Sequence, residues 1–220
     1  VKFGCAKYKS FFEERNKQFQ SPFNFRYILF TGSSWSWDEE ATLDNIDKIL
    51  NNNKNHFNNI KVVYRPHPFR QRKTKINKNW QNIVFDPQLL EDEIKNKREW
   101  PNLNYYPKLL SNCEYVVGGL TSMLIESTIF YKKYIAIAYD DNQSLMNQKN
   151  IMENYEHLKE INKLSNIIIC KDIKELEKNM INSQIDPNID NKMKIDDERN
   201  FFLYHDEKIS LDKILKENLN

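Results

Sequence analysis

The chain has 220 residues, 40% of them hydrophobic and 29% charged, which is enough to bury a substantial core. Its 33 basic and 31 acidic residues give a formal net charge of +2. This balance argues against duplex nucleic acid as a partner, because that binding needs a clustered basic face. No apolar run approaches the roughly 18 residues of a membrane span, and we expect no transmembrane segment and no signal peptide.

Three cysteines, Cys5, Cys113 and Cys170, lie far apart and do not form a metal-binding pair. Their odd number and their positions near strand boundaries predict buried free thiols in a reducing compartment. The chain begins at Val1 rather than at Met, and we expect it to be one part of a longer protein.

Short apolar segments of strand length alternate along the chain with segments of helical periodicity. The predicted strands are 25–32, 60–66, 82–87, 113–119, 134–141 and 166–172. The predicted helices are 38–50, 102–113, 120–133, 142–164 and 173–181, followed by a loop over 182–192 and two closing helices between 198 and 220. The clearest unit is the strand–helix–strand segment 113–141, which predicts a parallel crossover.

This alternation predicts an α/β fold with an open, doubly wound, mostly parallel, Rossmann-like sheet. We divide the chain into a lead-in or interdomain segment (1–24), a Rossmann-like domain (25–181) and closing helices (182–220). In such sheets ligands bind beyond the carboxyl ends of the strands, near the switch in strand order. Function should therefore lie in the turns that follow the strands.

The turn after the first strand reads TGSSWSW. Gly32 permits a sharp turn, and Ser33 and Ser34 supply hydroxyls near a helix start. Ordinary helix capping accounts for about half of this pattern (our own weighting), because Ser and Asp are common N-cap residues. Trp35 and Trp37 are less expected in a tight turn, where they would stack on a base or sugar or pack against a neighbouring domain.

The turn after the second strand reads RPHP. Proline on each side of His67 restricts the backbone, so the imidazole should sit on a stiff platform. Arg65 can bind phosphate through two hydrogen bonds, and His67 can donate a hydrogen bond or a proton near neutral pH. The alternatives are a buried, satisfied histidine in a rigid turn, and an arginine that only stabilises the fold.

The turn after the fourth strand reads GGLTS. Gly118 and Gly119 let the backbone approach a ligand closely, and Thr121 and Ser122 open a helix whose free amides can bind an anion. Glu126 lies one turn further on and would point toward the same cleft. The structural alternative, an N-cap with Glu126 on the solvated face, is equally compatible with these residues. The pattern is neither a Walker loop nor GxGxxG.

All three turns follow apolar strands and should gather at one edge of the sheet. Their hydroxyls, the cationic corner and the Gly-Gly-Thr-Ser helix start together suit a diphosphate or phosphomonoester. We expect no metal ligands and no cofactor beyond such a substrate.

The ordered set ILFTGSSW, VVYRPHPF and LLSNCEYVVGGLTSMLIESTIFYKKYIAI resembles the C-terminal, donor-binding half of GT-B glycosyltransferases. The similar groups are bacterial surface-polysaccharide enzymes with an HP motif, namely capsule sialyl- and polysialyltransferases and CDP-glycerol glycerophosphotransferases. The resemblance spans about 25–140, and NFFLYHDEKIS resembles their closing segment.

The resemblance implies a cytoplasmic, metal-independent transferase that uses a CMP-, CDP- or UDP-linked donor, including at the inner face of the membrane. His67 would be the catalytic residue, contacting the donor phosphate and assisting departure of the nucleotide. Thr121 and Ser122 would hold the same phosphate, and Glu126 would meet the ribose hydroxyls. The full predicted substrate-binding set is Arg65, Gly32, Ser33, Ser34, Gly119, Thr121, Ser122 and Glu126.

A complete GT-B enzyme has two Rossmann-like halves, and 220 residues hold only one. The resemblance therefore implies partners in a nucleotide-sugar donor, a glycan or lipid-linked acceptor and an N-terminal acceptor domain that carries the catalytic base. Two alternatives stay open. One is a nucleotide-sugar 2-epimerase, and the other is a non-catalytic nucleotide- or partner-binding module with Trp35, Trp37 and Trp100 exposed at an interface.

Overall fold

The structure, a computed structural model, describes residues 8–34, 37–67, 79–87, 105–140, 148–155, 158, 160–185 and 192–202. Cys5, Trp35, Trp100 and the second predicted closing helix lie outside these ranges. Within them, no helix combines the length and apolar character that crossing a membrane requires.

Six parallel strands form one sheet in the order β3-β2-β1-β4-β5-β6. The strands are β1 (Arg26–Thr31), β2 (Ile60–Arg65), β3 (Ile83–Phe85), β4 (Val116–Gly118), β5 (Tyr134–Ile137) and β6 (Ile167–Cys170). The chain moves outward from β1 to β3, returns to the other side of β1 and continues to β6. The switch in direction falls between β1 and β4, where Thr31 pairs with Gly118. The predicted doubly wound, Rossmann-like sheet is confirmed.

Helices cover both faces of this sheet. The described ranges contain α1 (Lys9–Glu14), α2 (Glu39–Asn52), α3 (Tyr106–Asn112), α4 (Met123–Ile129), α5 (Gln148–Asn154), α6 (Ile173–Ile185) and α7 (Lys192–Phe202). One apolar cluster joins α2 and α6 to the sheet, and a second joins α1, α3, α4 and α5 to the opposite face. The four inner strands are therefore largely buried between two layers of helix, as their continuous apolar sequences predict, and the edge strands β3 and β6 are partly buried.

Several boundaries differ from the predicted ones. α4 is shorter than the predicted helix 120–133, because its first residues form the turn and Tyr131 adopts a left-handed φ of 55°. The predicted helix 142–164 is not continuous, because α5 ends at Asn154, Tyr155 is not helical and a separate 3-10 turn spans Ile161–Lys163. α6 continues to Ile185 and α7 begins at Lys192, so part of the predicted loop 182–192 and the residues before 198 are helical.

The strand-boundary cysteines in the described ranges behave as predicted. Cys113 and Cys170 are buried free thiols. Burial raises the pKa of both thiols to about 11, which keeps them protonated and chemically inert at neutral pH.

Candidate functional site

The turns after β1 and β2 are packed directly against each other. The Gly32 amide donates to the Arg65 carbonyl at 2.8 Å. A Cβ atom on Gly32 would lie 2.7 Å from the His67 backbone nitrogen and 2.9 Å from Cα of Pro66. Only glycine fits this contact without a backbone shift. The turn at Gly32 therefore packs directly against the backbone of residues 65–67.

The turn after β4 adjoins the carboxyl end of β1, on the side opposite β2. A Cβ atom on Gly118 would lie 2.6 Å from the Thr31 carbonyl oxygen and 2.8 Å from the hydroxyl of Tyr134. The structure therefore brings the three predicted turns side by side at the carboxyl edge of the sheet, with β1 between β2 and β4. This edge includes the switch in strand order, where doubly wound sheets bind ligands.

Buried side chains hold the Gly119–Leu120 peptide from two sides. The Tyr134 hydroxyl donates to the Gly119 carbonyl at 2.6 Å, and it also lies 3.2 Å from Oγ1 of Thr31. The Leu120 amide donates to Oε1 of Gln148 at 2.7 Å. Neither Tyr134 nor Gln148 stood out in the sequence, because Tyr134 starts a predicted strand and Gln148 lies within the long polar segment predicted as helix 142–164.

The next two residues of this turn, Thr121 and Ser122, have backbone amides without a partner in the described ranges. The amides of Thr121 and Ser122 make no hydrogen bond to any residue in the described ranges, whereas Oγ1 of Thr121 accepts from the Met123 amide at 3.2 Å. The Ser122 hydroxyl donates to Oε1 of Glu126 at 3.3 Å. Glu126 is buried, so the alternative that put it on the solvated face is wrong.

The turn after β1 is organised by Glu39, which the sequence analysis did not single out. Its carboxylate is buried and accepts from the Ser33 amide at 2.8 Å, Nε1 of Trp37 at 3.0 Å and the Tyr64 hydroxyl at 2.6 Å. The sequence shows an acidic residue in a first helical turn. Its burial depends on Tyr64, which is far away in the chain.

Trp37 is buried, so the alternative that places it exposed at an interface is wrong for this residue. Its side chain is 2% exposed and stacks on Phe30, with ring centroids 6.2 Å apart. Ser33 is also buried, so of the two predicted hydroxyl residues only Ser34 is exposed to solvent.

Arg65 is buried at the end of β2 and forms an ion pair with the fully buried Asp86. Its Cζ atom lies 4.3 Å from the ring centroid of Tyr106. Burial lowers the pKa of Arg65, but Tyr106 and Asp86 outweigh it and raise the pKa overall, so the guanidinium stays charged. The geometry matches the alternative of a fold-stabilising arginine. Its Nη2 atom is buried and has no hydrogen-bond partner among the described residues.

His67 is half-buried on the turn that supports Gly32. It follows β2, while Thr121 and Ser122 follow β4, so the two groups flank the end of β1. Adjacent strands are spaced by about 4.8 Å, so β2 and β4, which lie on either side of β1, are separated by roughly 10 Å. A ligand that lies across the end of β1 would span that interval. In the same ranges, no cluster of three or more His, Cys, Asp or Glu is arranged to hold a metal ion.

No protein-family model matches the chain, and no curated protein matches it significantly. Among solved structures the chain is similar to the crystal structure of TarM, with 12% sequence identity and a TM-score of 0.42. The match covers 93% of this chain, which spans 37% of the TarM chain. A likeness at this level carries no functional argument. The class of protein, a Rossmann-like α/β domain, follows from the strand order and the two helical layers.

Proposed function

We propose that this chain is the donor-binding half of a GT-B-type glycosyltransferase or glycerophosphotransferase, and that it holds a nucleotide-activated donor through its phosphate. One observation carries the proposal. Within the described ranges, the amides of Thr121 and Ser122 have no hydrogen-bond partner, and they follow β4 at the switch in strand order. His67 follows β2, on the other side of β1. Free backbone donors beside a switch point suit an anionic phosphate group.

In this mechanism the bond between the transferred sugar and the donor phosphate breaks, and negative charge develops on the departing nucleotide. The amides of Thr121 and Ser122 stabilise that charge, because backbone donors fixed in the turn need no reorientation as the charge develops. His67 donates a hydrogen bond or a proton to the same phosphate. The acceptor hydroxyl forms the new bond and passes its proton to a base outside this chain. In a glycerophosphotransferase, the phosphoanhydride bond breaks instead.

The wider setting belongs to the same proposal. The enzyme would build a cell-surface polysaccharide on the cytoplasmic side of a bacterial membrane, without a metal ion, from a CMP-, CDP- or UDP-linked donor. Glu126 would meet the ribose, since it lies one helical turn beyond the phosphate-binding residues. The acceptor, a glycan or lipid-linked glycan, would bind an N-terminal half, and this chain alone would bind donor without turning it over.

Calorimetric titration of this chain with CMP, CDP and UDP tests nucleotide binding directly. We expect saturable binding of at least one nucleotide. A folded sample that binds none of the three contradicts the proposal and favours a partner-binding module. Incubation of the complete enzyme with a UDP-N-acetylhexosamine and no acceptor adds a second test, because formation of the 2-epimer would identify an epimerase instead.

Substitution of His67 tests the catalytic step. We expect His67→Ala to lower turnover by the complete enzyme about 100-fold or more, the usual contribution of a positioned acid. The unfolding midpoint should stay close to that of the unsubstituted protein. His56→Ala is the matched control, because His56 is exposed in the connection that precedes β2, at the opposite edge of the sheet. An unchanged rate in His67→Ala would remove His67 from catalysis.

A further inference from the structure

We propose that Tyr134 and Gln148 are positioning residues that clamp the Gly119–Leu120 peptide and so orient the turn that binds the donor phosphate. The inference rests on the proposed function. Neither residue would touch the ligand through the contacts described above. Each would act through the backbone of the turn.

The two contacts act on opposite ends of one peptide unit. The Gly119 carbonyl accepts from the Tyr134 hydroxyl at 2.6 Å, and the Leu120 amide donates to Oε1 of Gln148 at 2.7 Å. Both side chains are fully buried, one at the start of β5 and the other at the start of α5. With its carbonyl and its amide both engaged, this peptide plane cannot rotate without breaking a buried hydrogen bond.

The glycine pair makes space for this clamp. A Cβ atom on Gly119 would lie 2.8 Å from Oε1 of Gln148, and one on Gly118 would lie 2.8 Å from the Tyr134 hydroxyl. Tyr134 also contacts Oγ1 of Thr31, so the clamp joins the turn to the end of β1. Gln148 therefore occupies the space beside Gly119, and Thr31 and Tyr134 together occupy the space beside Gly118.

The clamp determines which donors remain available. Because the Leu120 amide is used internally, the amides that follow it, of Thr121 and Ser122, are those without a partner in the described part of the chain. Nε2 of Gln148 is likewise buried without a hydrogen-bond partner there. Loss of the clamp should allow the peptide to rotate and should misorient the Thr121 and Ser122 amides.

The test compares Tyr134→Phe and Gln148→Met with the matched control Tyr27→Phe. Tyr27 is equally buried and its hydroxyl donates to the Leu109 carbonyl at the same 2.6 Å, but it lies near the amino end of β1. Titration with the nucleotide that the unsubstituted chain binds should show affinity about tenfold lower in both clamp variants, the equivalent of one well-placed hydrogen bond. Affinity for the matching nucleoside, which lacks phosphate, should change by less than about twofold. Tyr27→Phe should leave both affinities unchanged.

Hydrogen exchange of the Leu120 amide tests the clamp without any ligand. Exchange should be about tenfold faster in both clamp variants and unchanged in Tyr27→Phe, since the hydrogen bond that protects this amide is lost or weakened only there. Unchanged exchange would show that the clamp does not hold the turn. Faster exchange with unaltered nucleotide affinity would make the clamp purely structural and would overturn the inference. If exchange is faster in the clamp variants but the unsubstituted chain binds no nucleotide, the proposed function is overturned. The positioning role is then overturned as well, because it rests on that function.

Discussion

The two ends of α4 lie at opposite edges of the sheet, and the backbone groups near them differ in their hydrogen bonding. At the amino edge, the Lys132 amide donates to the Ser127 carbonyl at 2.9 Å, and the Lys132 carbonyl accepts from Nδ2 of Asn166 at 2.8 Å. At the carboxyl edge, the amides of Thr121 and Ser122 make no such bond within the described ranges.

Under the proposed function, this difference separates a stabilising end from a binding end on one short helix. Polar groups that a fold buries are normally paired within the protein, and Asn166 does this by bonding both the Lys132 carbonyl and the Thr128 hydroxyl. Donors left open at a switch in strand order are available to the ligand of the proposed function. Substitutions at the amino edge should therefore change stability, and substitutions in the open turn should change ligand affinity.

The Arg65–Asp86 pair is the exception, a stabilising contact at the carboxyl edge. Asp86→Ala should lower the free energy of unfolding by about 3–5 kcal/mol, because it leaves a buried guanidinium without its counter-charge. Urea unfolding of Asp86→Ala measures this loss. Glu114→Ala is the control, since its pair with Arg26 is largely exposed on the arginine side and should cost no more than about 1 kcal/mol. Similar small losses in both variants would mean that Arg65 is not a structural residue.

Asn166 tests the stabilising end of α4. Asn166→Ala should lower the free energy of unfolding by roughly 1–3 kcal/mol, since it removes the bond to the part-buried Lys132 carbonyl and the buried contact with the Thr128 hydroxyl. Titration of the folded variant should give the same nucleotide affinity as the unsubstituted chain. A fall in affinity together with stability would show that the two ends of the helix do not act independently.

Ser122 tests the binding end, with the smallest expected effect on stability. Ser122→Ala removes an exposed hydroxyl and should change the free energy of unfolding by no more than about 0.5 kcal/mol. Nucleotide affinity should fall about fivefold, since the hydroxyl would turn from Glu126 to the phosphate when the donor binds, and the variant lacks that contact. Ser165→Ala, at an exposed position at the amino edge, should change neither quantity. Equal nucleotide affinity in Ser122→Ala and Ser165→Ala would remove the Ser122 hydroxyl from the proposed phosphate site.

The sequence predicts the parts of this molecule that depend on local pattern. Continuous apolar runs identify all six strands of the sheet, and their alternation with helices predicts that RPHP and GGLTS meet at one edge. The partners of individual side chains depend on contacts between distant segments and do not follow from such patterns. Arg65 at the end of β2 forms an ion pair with Asp86, which follows β3. The buried carboxylate of Glu39 accepts a hydrogen bond from Tyr64, 25 positions away. The roles of Tyr134 and Gln148 could not be predicted for the same reason, since nothing in their neighbouring residues marks them.

The contact between Gly119 and Gln148 also has an evolutionary consequence. Because a Cβ atom at position 119 would lie 2.8 Å from the Gln148 carboxamide, alanine at 119 would displace that carboxamide. The Leu120 amide would then need another acceptor. We therefore expect homologues that lack glycine at 119 also to differ at 148, although 28 positions separate the two residues along the chain.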